Sequence, residues 1–163
     1  MKFQIISDIH LEYYDTLPNI DDFFTVTAPN LILAGDICYY KHPNFMKFFD
    51  KISTLYEHIF FVPGNHDYYS YYDIPDINFE QIDFIMKEKL EIFKNVHFIQ
   101  NSTFEFDNNI ILGNTLWCKT NRTIMDNDVK IISSEFYIKY KRKFMPSFKS
   151  IKKANTFQYN WLK

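Results

Sequence analysis

Glycine is nearly absent from this chain. Only Gly35, Gly64 and Gly113 occur in 163 residues. Cysteine is almost as rare, with Cys38 and Cys118 alone. Two cysteines make no disulfide framework, and a reducing compartment fits them better. No apolar run approaches the length of a membrane span. The opening Met1-Lys2-Phe3-Gln4 leads straight into a strand-like segment, with no apolar region ending in small residues, so no signal peptide is expected. The expected location is cytoplasmic, with no membrane partner. Charge of one sign is also lacking: the formal net charge is −2 and the pI about 6.2. Nucleic acid is therefore not expected as a stable partner. Internal repeats and linkers are missing too, so residues 1–163 read as a single domain, long enough to bury a core without staples.

What is abundant is Phe, Tyr, Ile, Lys and Asn, a set whose codons are rich in A and T; a low-GC genome accounts for it. The few glycines stand out against that bias. All three follow apolar runs, where tight turns and close backbone approach call for a residue without a Cβ. Lys2 to Ser7, Asn30 to Ala34, Ile59 to Val62 and Val96 to Gln100 read as short buried strands. Helical spacing of apolar residues predicts helices over Asn44 to Glu57 and Asn78 to Lys94. Thr103 to Phe106 and Ile110 to Leu112, around Asp107-Asn108-Asn109, read as a hairpin. Residues 11–29 read as a loop and 119–134 as an irregular excursion, before a final helix within Ser147 to Lys163. Near-continuous apolar strands alternating with helices imply an α/β class with a parallel sheet.

Three short motifs carry chemistry: Asp8-Ile9-His10, Gly35-Asp36 and Gly64-Asn65-His66-Asp67. Each begins just past the carboxyl end of an expected strand, where open α/β sheets place their ligand sites. Together they bring carboxylates, imidazoles and an amide oxygen to one place. That mixed oxygen and nitrogen set suits divalent Mn, Fe or Zn. Asp8 and His10 lie two apart, so extended backbone would point both to one face. A carboxylate such as Asp36 can bridge two ions, and paired ions clamp a phosphate and activate water.

The order Asp-x-His, Gly-Asp, Gly-Asn-His-Asp resembles the calcineurin-like metallophosphoesterase family, well over residues 1 to 118 and loosely beyond. The resemblance implies an α/β (α+β sandwich) fold of two β-sheets flanked by helices. It implies Asp8, His10 and Asp36 as ligands of a first metal ion, and Asp36 with Asn65 as ligands of a second. His66 would protonate the leaving group or steady the phosphate, and Asp67 would support it from behind, so His66 and Asp67 are the expected catalytic residues. The activity implied is hydrolysis of a phosphorylated small molecule or phosphodiester. Leu112-Gly113-Asn114-Thr115-Leu116-Trp117 also resembles a branch of small bacterial and viral members.

The family pattern continues with a late strand ending in His and a Gly-His-x-His motif, and residues 1–163 hold neither. The expectation is therefore a truncated, partial fold without the C-terminal strands, one or two ions per chain, and impaired activity. A catalytically inactive relic or a protein-interaction scaffold of the same fold is the alternative. A homo-oligomer donating ligands in trans is a further one, although His42, His58 and His97 read as ordinary histidines. Smaller features are weighed the same way. The basic run Lys139 to Lys143 reads as a solvated helix face. Cys38 and Trp117 read as packing residues. The pairs Tyr13-Tyr14, Tyr39-Tyr40, Tyr68-Tyr69 and Tyr71-Tyr72 are candidate pocket walls.

Overall fold

Four strands, Phe3–Ile6 (β1), Asn30–Ala34 (β2), His58–Val62 (β3) and Val96–Phe98 (β4), form a parallel sheet in the order β1-β2-β3-β4 in a computed structural model. The structure describes residues 2–68, 78–116 and 148–163. The register sets Ile6 beside Leu33 and Ala34 beside Val62, so the carboxyl ends of β1, β2 and β3 lie side by side. Two further strands, Ser102–Phe106 (β5) and Asn109–Gly113 (β6), pair antiparallel as the expected hairpin. Asp107 and Asn108 at its tip adopt φ of 49° and 60°, the left-handed pair that a tight hairpin turn needs.

The side-chain alternation of β3 builds two layers. Phe60 points to the hairpin, meeting Phe104 and Phe106 at ring distances of 5.3 and 5.5 Å. Phe61 points the other way, to Phe45 and Phe49 of the helix Pro43–Ser53 (α1). Phe45, Phe48, Phe49 and Ile52 give α1 a fully buried face. A second helix, Phe79–Leu90 (α2), buries Ile82, Met86 and Leu90. The fold class is thus the expected one, a mixed α/β arrangement of a parallel and an antiparallel sheet flanked by helices. The hairpin covers only part of its face: Ile5 of β1 stays 67% exposed, and Ile110 and Leu112 of β6 point outward.

Local chemistry sets the helix ends. Pro43 occupies the first turn of α1, and the His42 side chain accepts from the Asn44 amide at 3.2 Å. The helix stops at Ser53, short of the expected Glu57. The Ser53 and Thr54 hydroxyls bond back to carbonyls of the last turn, and Asn95 caps the Ser53 and Tyr56 carbonyls at 2.9 and 2.8 Å. Asn78 and Gln81 form a reciprocal capping box on α2. That helix ends at Leu90 rather than Lys94.

These elements belong to one unit, Met1–Tyr68 with Asn78–Thr115. The helix Phe148–Trp161 (α3) belongs to a second unit, and in it the Lys163 ammonium stands 4.6 Å over the Tyr159 ring. Residues 119–134, the basic run 139–143, Trp117, Cys118, Tyr69, Tyr71 and Tyr72 lie outside the described residues. Among the described residues no helix is long and apolar enough to cross a membrane.

A polar network ties α2 and the hairpin to the third motif. The Tyr68 hydroxyl donates to Asp83 at 2.5 Å, and Gln100 donates to Tyr68 and to Thr115, whose hydroxyl donates to the Pro63 carbonyl at 2.7 Å. Burial pushes the Asp83 carboxyl up to about 7, with Glu80 adding to the rise and the Tyr68 hydroxyl opposing it. The folded chain therefore binds more protons than the unfolded one from about pH 4 to pH 7. Stability should fall as pH rises across that window, by up to about 1.4 kcal/mol per pH unit. Asp83→Asn keeps an acceptor for Tyr68 but cannot ionise. Urea unfolding from pH 4 to 8 should show wild type losing ground against this variant as pH rises. Parallel curves would refute the buried neutral carboxyl.

Candidate metal centre

The first three strands stop at Ile6, Ala34 and Val62, and the three motifs form the loops directly beyond them. Main-chain bonds clamp the first two together. Asp8 N–H donates to the Gly35 carbonyl, His10 to Asp36 and Leu11 to Ile37, all between 2.9 and 3.0 Å. Extended geometry does not continue through Asp8 and His10, contrary to the simple strand-end picture. Asp8 (φ 58°), His10 (φ 52°) and Asp36 (φ 55°) all sit in the left-handed region, with Gly35 at 87°. Such backbone is uncommon for residues with a Cβ and clusters at functional sites. Here it turns the side chains toward one another. One ligand atom from each of Asp8, His10 and Asp36 lies within 4.8 Å of the others.

The third motif packs underneath. His66 N–H donates to Asp36 Oδ1 at 2.8 Å, and the His66 ring meets the His10 ring edge-on at 4.6 Å. Asn65 immediately precedes it, and its carbonyl accepts from the Tyr68 amide at 3.3 Å. Gly64 is forced by contact: a Cβ there would stand 2.5 Å from the Asp36 nitrogen and closer still to its carboxylate.

Asp67 is wholly buried. Its Oδ2 accepts from the Asp36 and Gly64 amides at 2.9 and 2.7 Å, and its Oδ1 from Ile37 and Cys38 at 3.0 and 2.8 Å. Burial pushes its carboxyl up to about 8, against the pull of the Gly64 and Cys38 amides. Four converging N–H donors suit the ionised form, and a cation next door would favour it further. Burial, helped by the nearby Asp8 charge, also raises Asp36, while the His66 amide and the two imidazoles pull it down.

The donor chemistry fits a divalent ion: two carboxylates and an imidazole on a backbone held in unfavourable geometry, with the like charges of Asp8 and Asp36 close together. Glu12 also stands at the site, unforeseen from the sequence. Its side chain is 1% exposed, with Oε1 at 3.2 Å from His10 Nδ1 and 3.6 Å from His66 Nδ1. Burial works to raise its carboxyl, but interactions with His66, its own amide and His10 hold it below the ordinary value. Its place two residues after His10, in the 3-10 turn Leu11–Tyr13, carries it there.

The remaining histidines lie elsewhere. His42 caps α1. His58 and His97 pair at 3.1 Å by the amino ends of β3 and β4, stacked among Phe60, Phe104 and Phe106. Burial and the neighbouring His58 charge lower His97. Tyr39 and Tyr40 are buried in the core, whereas Tyr13 and Tyr14 are exposed by about two-fifths, at 41% and 42%. Cys38 is core, as expected, with burial raising its thiol.

Comparison with known proteins agrees with this geometry. A family model described as calcineurin-like phosphoesterase matches residues 1–162. An uncharacterized protein of Acanthamoeba polyphaga mimivirus is 34% identical over 148 residues, covering 82% of this chain and 50% of that protein. The chain thus spans about half the length of this curated relative. Among solved structures, a phosphopantetheinyl hydrolase from Mycobacterium tuberculosis superposes with a TM-score of 0.63 at 15% identity, covering 98% of this chain and 60% of the other, which shows a shared fold. With its three strand-end motifs inside the matched region, this chain belongs to the calcineurin-like phosphoesterase family.

Proposed function

We propose that this chain is a metal-dependent hydrolase of a phosphomonoester or phosphodiester. The observation that carries the reading is the convergence of Asp8, His10 and Asp36, from two neighbouring strand ends, within 4.8 Å. Those three residues hold one divalent Mn, Fe or Zn ion, and Asp36 with Asn65 offers a second, weaker place. When bound, such an ion neutralises charge developing on the phosphoryl group and lowers the pKa of water.

The chain's own groups do the rest. His66, beside this cluster, passes a proton to the leaving oxygen. Its main-chain bond to Asp36 Oδ1 couples the position of the proton donor to that of the shared ligand. Asp67 acts through the backbone, as a positioning residue for both loops. All five histidines of the chain are described, and His42, His58 and His97 lie away from the cluster. Residues 1–163 should therefore hold one ion tightly per chain.

Metal content after equilibration with Mn²⁺, and turnover of a chromogenic phosphate ester, test this. One ion per chain is expected, with metal-dependent hydrolysis that Asp36→Asn lowers by about 100-fold or more. Hydrolysis without metal dependence, no hydrolysis at all, or a variant as active as wild type would overturn the enzymatic reading. Two tightly held ions would overturn the stoichiometry.

A further inference from the structure

Glu12 has no assigned task, yet it is a buried carboxylate between the two imidazoles of the site. We propose that Glu12 is the positioning residue for both rings, fixing His10 as a metal ligand and orienting His66, which donates a proton from Nε2 when that nitrogen is protonated as well as Nδ1. The inference rests on the roles proposed above for those histidines.

The local structure places Glu12 firmly. It sits in the 3-10 turn Leu11–Tyr13 that follows the first motif. Leu11 N–H is tied to the Ile37 carbonyl at 2.9 Å. The buried Asn44 of α1 donates to the Leu11 and Tyr14 carbonyls at 3.1 and 2.8 Å, bracketing the turn from below. A side chain carried on so braced a turn has little freedom, and its carboxylate reaches under both rings.

The chemistry of the contact selects a tautomer. A carboxylate only accepts hydrogen bonds. His10 Nδ1, at 3.2 Å from Glu12 Oε1, must therefore carry the hydrogen, which leaves the lone pair on Nε2. A histidine ligand held by a carboxylate through its other nitrogen is a recurring metal-site arrangement, which orients the ring and raises its basicity. His66 Nδ1 approaches the same oxygen at 3.6 Å, ion-pair range but long for a hydrogen bond. Glu12 Oε2 is buried and has no hydrogen-bond partner among the described residues. One carboxylate oxygen, Oε1, thus faces both rings, and Oε2 is left with accepting capacity to spare. The Glu12 ligand atom also clusters with those of His10 and His66 within 4.8 Å. A metal ion held directly by that trio is the alternative to ring positioning, and it is resolved by the same experiment.

The test is imidazole nitrogen NMR on the metal-free chain at pH 8.5, followed by Mn²⁺ titration. In wild type, His10 and His66 should both show Nδ1–H with the lone pair on Nε2. Glu12→Gln, which preserves shape but can offer a donor, should shift at least the His10 ring toward the Nε2–H form. Glu12→Leu guards against a folding artefact and should give mixed tautomers with an unchanged fold, read from the remaining histidine signals. Both variants should bind Mn²⁺ about 10- to 100-fold more weakly than wild type. Unchanged tautomers in both variants, or Nε2–H forms in wild type, would overturn the proposal while leaving the phosphoesterase reading intact. So would tautomers that change without any change in Mn²⁺ affinity. Loss of all Mn²⁺ binding in Glu12→Gln, equal to that in Asp36→Asn, would make Glu12 a ligand and overturn it as well.

Discussion

Asp67→Ala is expected to destabilise the fold by about 4 kcal/mol or more and to abolish metal binding. Four amides, of Asp36, Ile37, Cys38 and Gly64, lose their acceptor at once. An unsatisfied buried donor costs about 1–3 kcal/mol. Water entering the vacated space and loop relaxation recover part of that sum. The remainder is still a large fraction of the roughly 5–15 kcal/mol that holds a small domain together. Asp67→Asn should fall between: it keeps one oxygen and sets an NH₂ group against two of the amides. Urea unfolding of all three proteins at fixed m-value gives the ranking. Asp67→Ala within about 1 kcal/mol of wild type would mean that the four bonds do not hold the loops.

Gly64→Ala should fold with modest loss and still fail to bind metal. The added methyl carbon would lie 2.5 Å from the Asp36 nitrogen, 2.8 Å from its Cγ and closer to its carboxylate oxygen. Either the loop backs away or the Asp36 side chain turns, and both displace the shared ligand. Overpacking of this kind costs about 1–3 kcal/mol, whereas Mn²⁺ affinity should drop by about 100-fold or more. Gly113→Ala is the natural control. Its methyl would collide with the Ile99 carbonyl at the end of the hairpin, so it should destabilise at least as much. The folded fraction of that variant should bind Mn²⁺ normally. Equal metal affinity in Gly64→Ala and wild type would show that Asp36 tolerates the intrusion.

Much of this arrangement was legible in the sequence. The strands announce themselves as short apolar runs, and β2 matches its expected span because Asn30 and Gly35 bound it sharply. The helices start at Pro43 and Phe79, within one residue of the expected Asn44 and Asn78, and stop earlier than their apolar spacing does. Spacing reports the buried face, whereas Ser53, Thr54 and Asn95 decide where the carbonyls are satisfied. The motifs were readable because their residue types and order are specific. The left-handed backbone at Asp8, His10 and Asp36 was not: Asp and His enter that region more readily than most residues with a Cβ, but only the main-chain bonds between the first two loops select it here. Glu12 escaped notice for a related reason. An acidic residue after a loop motif ordinarily faces water, and only the Asn44 brace, 32 residues away in sequence, turns it inward. Asp67 was expected near the site, but its four amide bonds depend on the meeting of two loops from different strands.

Because those amide bonds lie within the chain itself, Asp67 can hold the two loops together before any ion arrives. Loading then becomes a late event, separable from folding. A newly made chain can wait empty without exposing its core to proteases, and the ion it acquires is set by the supply around it. Exchange of one metal for another would then cost no refolding.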